Sequence, residues 1–189
     1  MRIISGSARG RRLANFSGRN IRPTADRVRE ALFSMLFSQL GSWQQKRVLD
    51  LFAGTGALAL EAVSRGASEA TLVEQGAQAV QLIRQNIQTC GFSDRTRLVR
   101  QDVLRFLTSA PTDQPFDIIF ADPPYRKGLA DDILKLIDSR HWLAADGVLC
   151  LETAADDPVA VETASLVCDE VRNYGSTTVR LFVHRMEES

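Results

Sequence analysis

Cysteine, histidine and tryptophan are scarce in this chain of 189 residues, with three, two and two copies. Cys90, Cys150 and Cys168 are odd in number and far apart, which excludes a disulfide framework and zinc-ligand spacing; they read as buried apolar residues. So few cysteines without a pairing pattern suit a reducing cytoplasm. His141 and His184 are too few and too distant for a histidine metal site, so no metal is expected. No apolar run approaches a membrane span, and Met1-Arg2-Ile3-Ile4-Ser5-Gly6 lacks the apolar stretch of a secretory leader. No long apolar surface helix is evident, which makes a monomer the default. What is present, 44% hydrophobic and 24% charged residues, is enough to bury a core without staples.

Net charge is zero, yet it is unevenly placed. Residues 1–30 hold eight arginines against Asp26 and Glu30, a net +6, so residues 31–189 carry −6. A basic end on a mildly acidic body points to a polyanionic partner met by that end. A solvated extension is the competing reading; every basic residue here being Arg, suited to bidentate phosphate contact, sets nucleic-acid binding level with it and leaves both open.

Residues 1–14 read as an arm or small hairpin around Gly6-Ser7-Ala8-Arg9-Gly10. Pro23 biases Arg22 towards extended geometry, and Thr24 is placed to cap a helix over about 25–40. A boundary is expected near Gly41-Ser42, giving an arm-and-helix unit over 1–41 and a sheet domain over 42–189. From there strands and helices alternate. Strands are expected at 46–51, 70–74, 96–100, 116–121 and 147–152, with helices at 57–64, 77–89, 103–108 and 129–138. Residues 165–184 read as an antiparallel hairpin turning at Tyr174-Gly175-Ser176. This order predicts an α/β fold: a doubly wound, mostly parallel, seven-stranded sheet with an antiparallel C-terminal hairpin.

The chemistry collects at strand ends. Ile118-Ile119-Phe120-Ala121 shows no polar alternation, as befits a central strand buried on both faces. It stops at Asp122-Pro123-Pro124-Tyr125, because proline cannot donate to a ladder. Ligands of open α/β sheets bind beyond such strand ends. The first strand exits through Asp50, Phe52, Gly54 and Gly56, a turn whose glycines let a ligand approach the backbone. That turn alone also satisfies a dinucleotide fingerprint. Glu74 closes the second strand where an acid can hold ribose hydroxyls. Asp102, before Val103, has two readings: acceptor for an adenine amine, or helix N-cap; one side chain can serve both. Three carboxylates at successive strand ends would repel a pyrophosphate, which argues against NAD. They suit the cationic S-adenosylmethionine, with Asp50 towards its tail. Asp122 and the Pro123 carbonyl can accept both N–H bonds of an exocyclic amine and aim its lone pair. Tyr125 can stack on an extruded base; its alternative is packing on the core behind a tight turn.

The pairing of Asp50-Leu51-Phe52-Ala53-Gly54-Thr55-Gly56 with Asp122-Pro123-Pro124-Tyr125 resembles the Rossmann-like class I S-adenosylmethionine-dependent methyltransferases acting on exocyclic amines. Arg2-Ile3-Ile4-Ser5-Gly6 and Arg22-Pro23-Thr24-Ala25-Asp26-Arg27-Val28-Arg29-Glu30-Ala31-Leu32-Phe33 resemble the RsmD family. The likeness covers nearly the whole chain; segment 153–165 matches nothing. It implies methyl transfer from S-adenosylmethionine to N2 of one guanine, guanine 966, of 16S ribosomal RNA in an assembled or assembling small subunit. It further implies Asp50, Phe52, Gly54, Gly56, Glu74, Asp102 and Val103 at the cofactor, and Asp122, Pro123 and Tyr125 at the reacting base. Arg2, Arg9, Arg11, Arg12, Arg22, Thr24 and Pro124 would meet the RNA, the arginines chiefly through phosphates. An adenine-N6 methyltransferase on DNA or RNA is the alternative, since Asp-Pro-Pro-Tyr serves it equally. An NAD-dependent oxidoreductase has no use for that motif, and a non-catalytic RNA binder no use for the strand-end acids.

Overall fold

The computed structural model of the protein describes residues 1–16, 23–109, 114–125 and 128–186, with backbone only at 23–27. Its elements run α1 (Pro23–Leu40), β1 (Arg47–Leu51), α2 (Ala57–Arg65), β2 (Glu69–Glu74), α3 (Ala77–Cys90), β3 (Thr96–Arg100), α4 (Val103–Thr108), β4 (Phe116–Ala121), α5 (Leu129–Ser139), β5 (Leu143–Ala154), β6 (Leu166–Tyr174) and β7 (Thr177–His184). The strands form a single sheet in the order β3-β2-β1-β4-β5-β7-β6. β1 to β5 are parallel, and β7 and β6 are antiparallel. The expected doubly wound sheet with a C-terminal hairpin is therefore what forms. Strand order reverses between β1 and β4, which opens a crevice at their carboxyl ends.

Side chains alternate across this sheet. Leu49, Leu51, Ile119, Ala121, Leu149 and Leu151 pack on one face, with Ala130, Ile133, Leu134 and Ile137 of α5 and Val103, Phe106 and Leu107 of α4. Val48, Ile118, Phe120, Val148 and Cys150 pack on the other, with Leu32, Phe33 and Leu36 of α1, Leu60 and Val63 of α2, and Ile83 and Ile87 of α3. Asp50 shares the parity of Val48, so it lies on this second face.

The arm joins the second face too. Ile3, Ala8 and Leu13 are buried in the same cluster as the sheet residues, so the expected boundary near Gly41-Ser42 is no break in packing. The arm closes a small hairpin through an Arg2–Arg12 bridge. The buried Glu61 carboxylate of α2 accepts Ile4 N–H at 2.7 Å and Ser5 N–H at 2.9 Å, and pairs with Arg65 at 2.8 Å. Ser64 Oγ donates to the Ser5 carbonyl at 2.6 Å and accepts Ala8 N–H at 2.9 Å. A Cβ on Gly6 would lie 1.8 Å from the Ser64 carbonyl oxygen, and Gly6 has φ +83°. Only glycine lets the two backbones come this close.

Three local expectations need correction. Helix α1 already includes Pro23, so Thr24 lies in its first turn and not at the cap; proline suits a first helical position because the N–H it lacks would have no partner there. Strand β5 starts at Leu143, earlier than 147, with its register against β4 shifting between Phe116 and Ile118. Cys90 and Cys150 are buried, whereas Cys168 is half-buried on the edge strand β6.

Candidate active site

The exit of β1 makes the crevice floor. Phe52 takes φ 61°, a left-handed conformation costly for a residue with a Cβ. Gly54 and Gly56 follow with φ 58° and 77°. At Gly56 a Cβ would press on Leu72 at 3.0 Å, whereas at Gly54 it would meet only the Phe52 carbonyl at 3.8 Å. Gly56 thus serves packing, and Gly54 faces open space that a ligand can enter. Glu74 holds the loop in place: Oε2 accepts Gly54 N–H at 3.0 Å and Oε1 accepts Gly76 N–H at 2.7 Å.

The other predicted cofactor residues fall around this loop. Asp50 is only 3% exposed, and its Oδ2 accepts Ala59 N–H from the first turn of α2 at 3.1 Å. Burial, opposed by that hydrogen bond and aided by Glu74, pushes the Asp50 carboxyl up to about 7. Asp50 therefore sits beneath the slot as a buried carboxyl whose charged form is disfavoured, and one of its oxygens is already committed. Asp102 realises its N-cap reading, accepting Arg105 N–H at 3.0 Å. Its residue is exposed, while Val103 is buried against α4's core.

At the end of β4 the Asp122 carboxylate accepts no hydrogen bond among the described residues. One side opens to solvent, which tempers the effect of the apolar surroundings on its other side. Those surroundings, then the charges of Glu152 and Asp50, push it up to about 7. Pro123 is buried and Pro124 exposed. Beyond them lies a pocket of about 300 Å³, lined by both prolines, Leu129, Thr153 and Pro158. Tyr125 does not pack into the core. It is 41% exposed, and its hydroxyl is tied to Glu152 Oε1 at 2.9 Å and Thr177 Oγ1 at 3.2 Å. The hydroxyl is fixed at its rim while the ring keeps an open surface.

Two residues beside the crevice and its glycine loop escaped the sequence reading. Glu152 lies on β5 one residue past the Ala121–Leu151 ladder pair, directly beside Asp122. Its signal was available, since it is an acid directly after the apolar run Val148-Leu149-Cys150-Leu151. Asn86, buried on α3, donates to the Thr55 carbonyl at 2.9 Å and the Ala14 carbonyl at 3.0 Å, and accepts Ala14 N–H at 2.7 Å. One amide thereby joins the glycine loop to the arm. No sequence pattern marks it.

The arm's arginines divide. Arg9 and Arg12 are exposed, as are Arg2 and Arg11. Arg11 also donates to the Thr89 carbonyl near the end of α3, where a cation is favoured. Arg22 lies outside the described residues, and for Thr24 only the helical backbone is described. Among the described residues no cluster of His, Cys, Asp and Glu could hold a metal ion. No helix among them is long and apolar enough to cross a membrane.

A switch-point crevice, a glycine loop clamped by a strand-end acid, and Asp-Pro-Pro-Tyr at the next strand end define a class I methyltransferase. Residues 1–183 match the family model described as "Conserved hypothetical protein 95". The chain is 35% identical over 182 residues to "Ribosomal RNA small subunit methyltransferase D" of Escherichia coli K12, covering 96% of this chain and 89% of that one. The Haemophilus influenzae protein of the same name is 37% identical over 162 residues, covering 84% and 81%. A solved Escherichia coli chain, yhhF, described as a candidate methyltransferase, superposes with TM-score 0.86 at 34% identity, covering 99% of each chain. The chain belongs to this family, the RsmD family of methyltransferases.

Proposed function

We propose that the protein methylates the exocyclic N2 of one guanine in 16S ribosomal RNA, using S-adenosylmethionine, on an assembled or assembling small subunit. The observation that carries this reading is the Asp122 carboxylate, which accepts no hydrogen bond among the described residues. It stands between a cofactor-type loop and an aromatic ring whose hydroxyl is anchored.

The residues fit the cofactor. Open space over Gly54 admits a ligand against the backbone. Asp50, Glu74 and Asp122 make the slot electronegative, which favours a cation and disfavours a pyrophosphate. Glu74 would hold the ribose, with its orientation already set by Gly54 and Gly76. Asp102 and the Val103 backbone would meet the adenine, and Asp50 would complement the cationic tail from below. Bound there, S-adenosylmethionine supplies a methyl carbon made electrophilic by its sulfonium.

The protein's own task is to prepare the nitrogen. Its lone pair is delocalised into the base, so it attacks poorly when planar. Acceptance of its two N–H bonds by Asp122 and the Pro123 carbonyl favours a pyramidal nitrogen and aims the lone pair. Pro123 and Pro124 restrict the backbone there, so little reorganisation is needed on reaction. Asp122, at about 7, is well matched to take the proton the nitrogen sheds near neutral pH. Tyr125 offers its exposed ring to the base. The arm's exposed arginines would bind RNA phosphates, and the names of the family's ribosomal RNA relatives support that partner.

The test is to incubate small subunits from a strain lacking the enzyme with the protein and methyl-labelled cofactor, then digest and identify the nucleoside. N2-methylguanosine is expected. N6-methyladenosine would transfer the same site to the adenine chemistry that Asp-Pro-Pro-Tyr also serves.

A further inference from the structure

Asp122 and Tyr125 explain capture of an exocyclic amine but not which base carries it. The bases differ next to that amine. In guanine, N2 is flanked by the N1–H donor. In adenine and cytosine the ring nitrogen beside the amine is an acceptor. A second acceptor adjacent to Asp122 would therefore meet a donor only in guanine.

Glu152 stands at that place. Ala121 and Leu151 are ladder partners, so Asp122 and Glu152 leave neighbouring parallel strands at the same level. Strands of a sheet lie about 4.8 Å apart, so two carboxylates leaving neighbouring strands at one level can converge on one base edge. Glu152 also shares a sheet face with Cys150 and with Asp50. Its Oε1 accepts the Tyr125 hydroxyl at 2.9 Å, which restricts the carboxylate. Its Oε2 has no partner among the described residues. Thr177 holds the same hydroxyl from β7 at 3.2 Å, so the carboxylate and the stacking ring are fixed as one unit. Burial raises the Glu152 carboxyl above its ordinary range, with the Tyr125 hydrogen bond opposing. A half-buried acceptor lacking a full set of donors is a group that gains from a substrate N–H.

Building on the guanine-N2 reading, we infer that Glu152 is the specificity-determining residue that selects guanine, by accepting the N1–H while Asp122 accepts from the adjacent N2 amine. An adenine in the same pose sets its N1 lone pair against the carboxylate. Sites built to hydrogen-bond a substrate group reject analogues lacking it far more strongly than apolar pockets do.

The probe is 2-aminopurine, which keeps the N2 amine but has an acceptor at N1. Small subunits are reconstituted with ribosomal RNA carrying guanine or 2-aminopurine at the methylated position, and kcat/KM is measured on both. Wild type should favour guanine by about 10- to 100-fold, as one directional base contact does. In Glu152→Gln the amide can donate to N1, so the preference should fall to near one or invert, with S-adenosylhomocysteine affinity retained. Tyr125→Phe removes the hydroxyl but leaves the carboxylate, and it should keep the preference whatever its rate. Equal wild-type use of both bases would overturn the inference, as would an unchanged preference in Glu152→Gln. So would a loss of preference in Tyr125→Phe matching that in Glu152→Gln, since Glu152 would then act only as an anchor for the ring. No methylation of guanine N2 by wild type would instead refute the function on which the inference rests.

Discussion

Replacing Asp50 by Asn should make the protein more stable at alkaline pH, even though a hydrogen-bonded group is being altered. Asp50 is buried, and its carboxyl rises from 3.8 to about 7. A raised carboxyl binds its proton more tightly in the folded than in the unfolded chain. Its contribution is thus fully present below about pH 4 and is lost as pH climbs through 7. At 1.36 kcal/mol per pH unit, a rise of about three units corresponds to roughly 4 kcal/mol between those limits. Asn keeps an oxygen for Ala59 N–H and cannot ionise. Urea denaturation of both proteins at pH 5, 6, 7 and 8 should show Asp50→Asn gaining on wild type progressively, by roughly 2–4 kcal/mol at pH 8. Removing the Asp50 charge also eases ionisation of Asp122, which acts in the same direction. Parallel stability curves, or a wild-type advantage that grows with pH, would refute the reasoning.

Other perturbations bear on the site directly. Asp122→Ala should abolish turnover while S-adenosylhomocysteine affinity, measured by calorimetry, stays within a few fold; a collapse in affinity would move Asp122 into the cofactor's own binding set. For wild type, kcat/KM should rise with pH through about 7 to a plateau, because the ionised Asp122 carboxylate is the stronger acceptor of N–H bonds and the form that takes a proton; a profile flat from pH 6 to 8 contradicts this. Arg9→Gln with Arg12→Gln should weaken RNA binding and flatten its log–log salt dependence by about one to two, whereas an unchanged slope would make the arm a structural element alone. Asn86→Ala strands the buried Thr55 carbonyl of the glycine loop and the half-buried Ala14 backbone of the arm, and should cost about 2–4 kcal/mol in urea denaturation. It should also weaken cofactor binding, and intact affinity would show that the loop holds its shape without the arm.

Much of the sheet was legible because burial leaves a plain mark. Ile118-Ile119-Phe120-Ala121 has no polar alternation because α-helices cover both its faces. Glycines and prolines mark where strands stop. Asp50, Glu74, Asp102 and Asp122 stood out as acids closing apolar strands, a pattern that follows from chain direction alone. What stayed hidden depends on neighbours in space. Glu152 gained its meaning once β5 was seen beside β4, since strand order is not written in any one strand. The arm's charge excess drew attention from Ile3, Ala8 and Leu13, whose irregular spacing follows a docked turn and no helical or strand period. Asn86 reads as one polar residue in an amphipathic helix, and its three hydrogen bonds reach residues 31 and 72 positions away. Asp102 carried two readings, and the structure fulfils the local one because a cap needs only the next turn of chain.

The most direct measurement is the identity of the methylated nucleoside after the purified protein and labelled S-adenosylmethionine act on small subunits lacking the modification. N2-methylguanosine at one position of 16S ribosomal RNA is the predicted product, absent when Asp122 is replaced by Ala. Label in N6-methyladenosine, or no label in RNA while the cofactor still binds, would contradict the assignment.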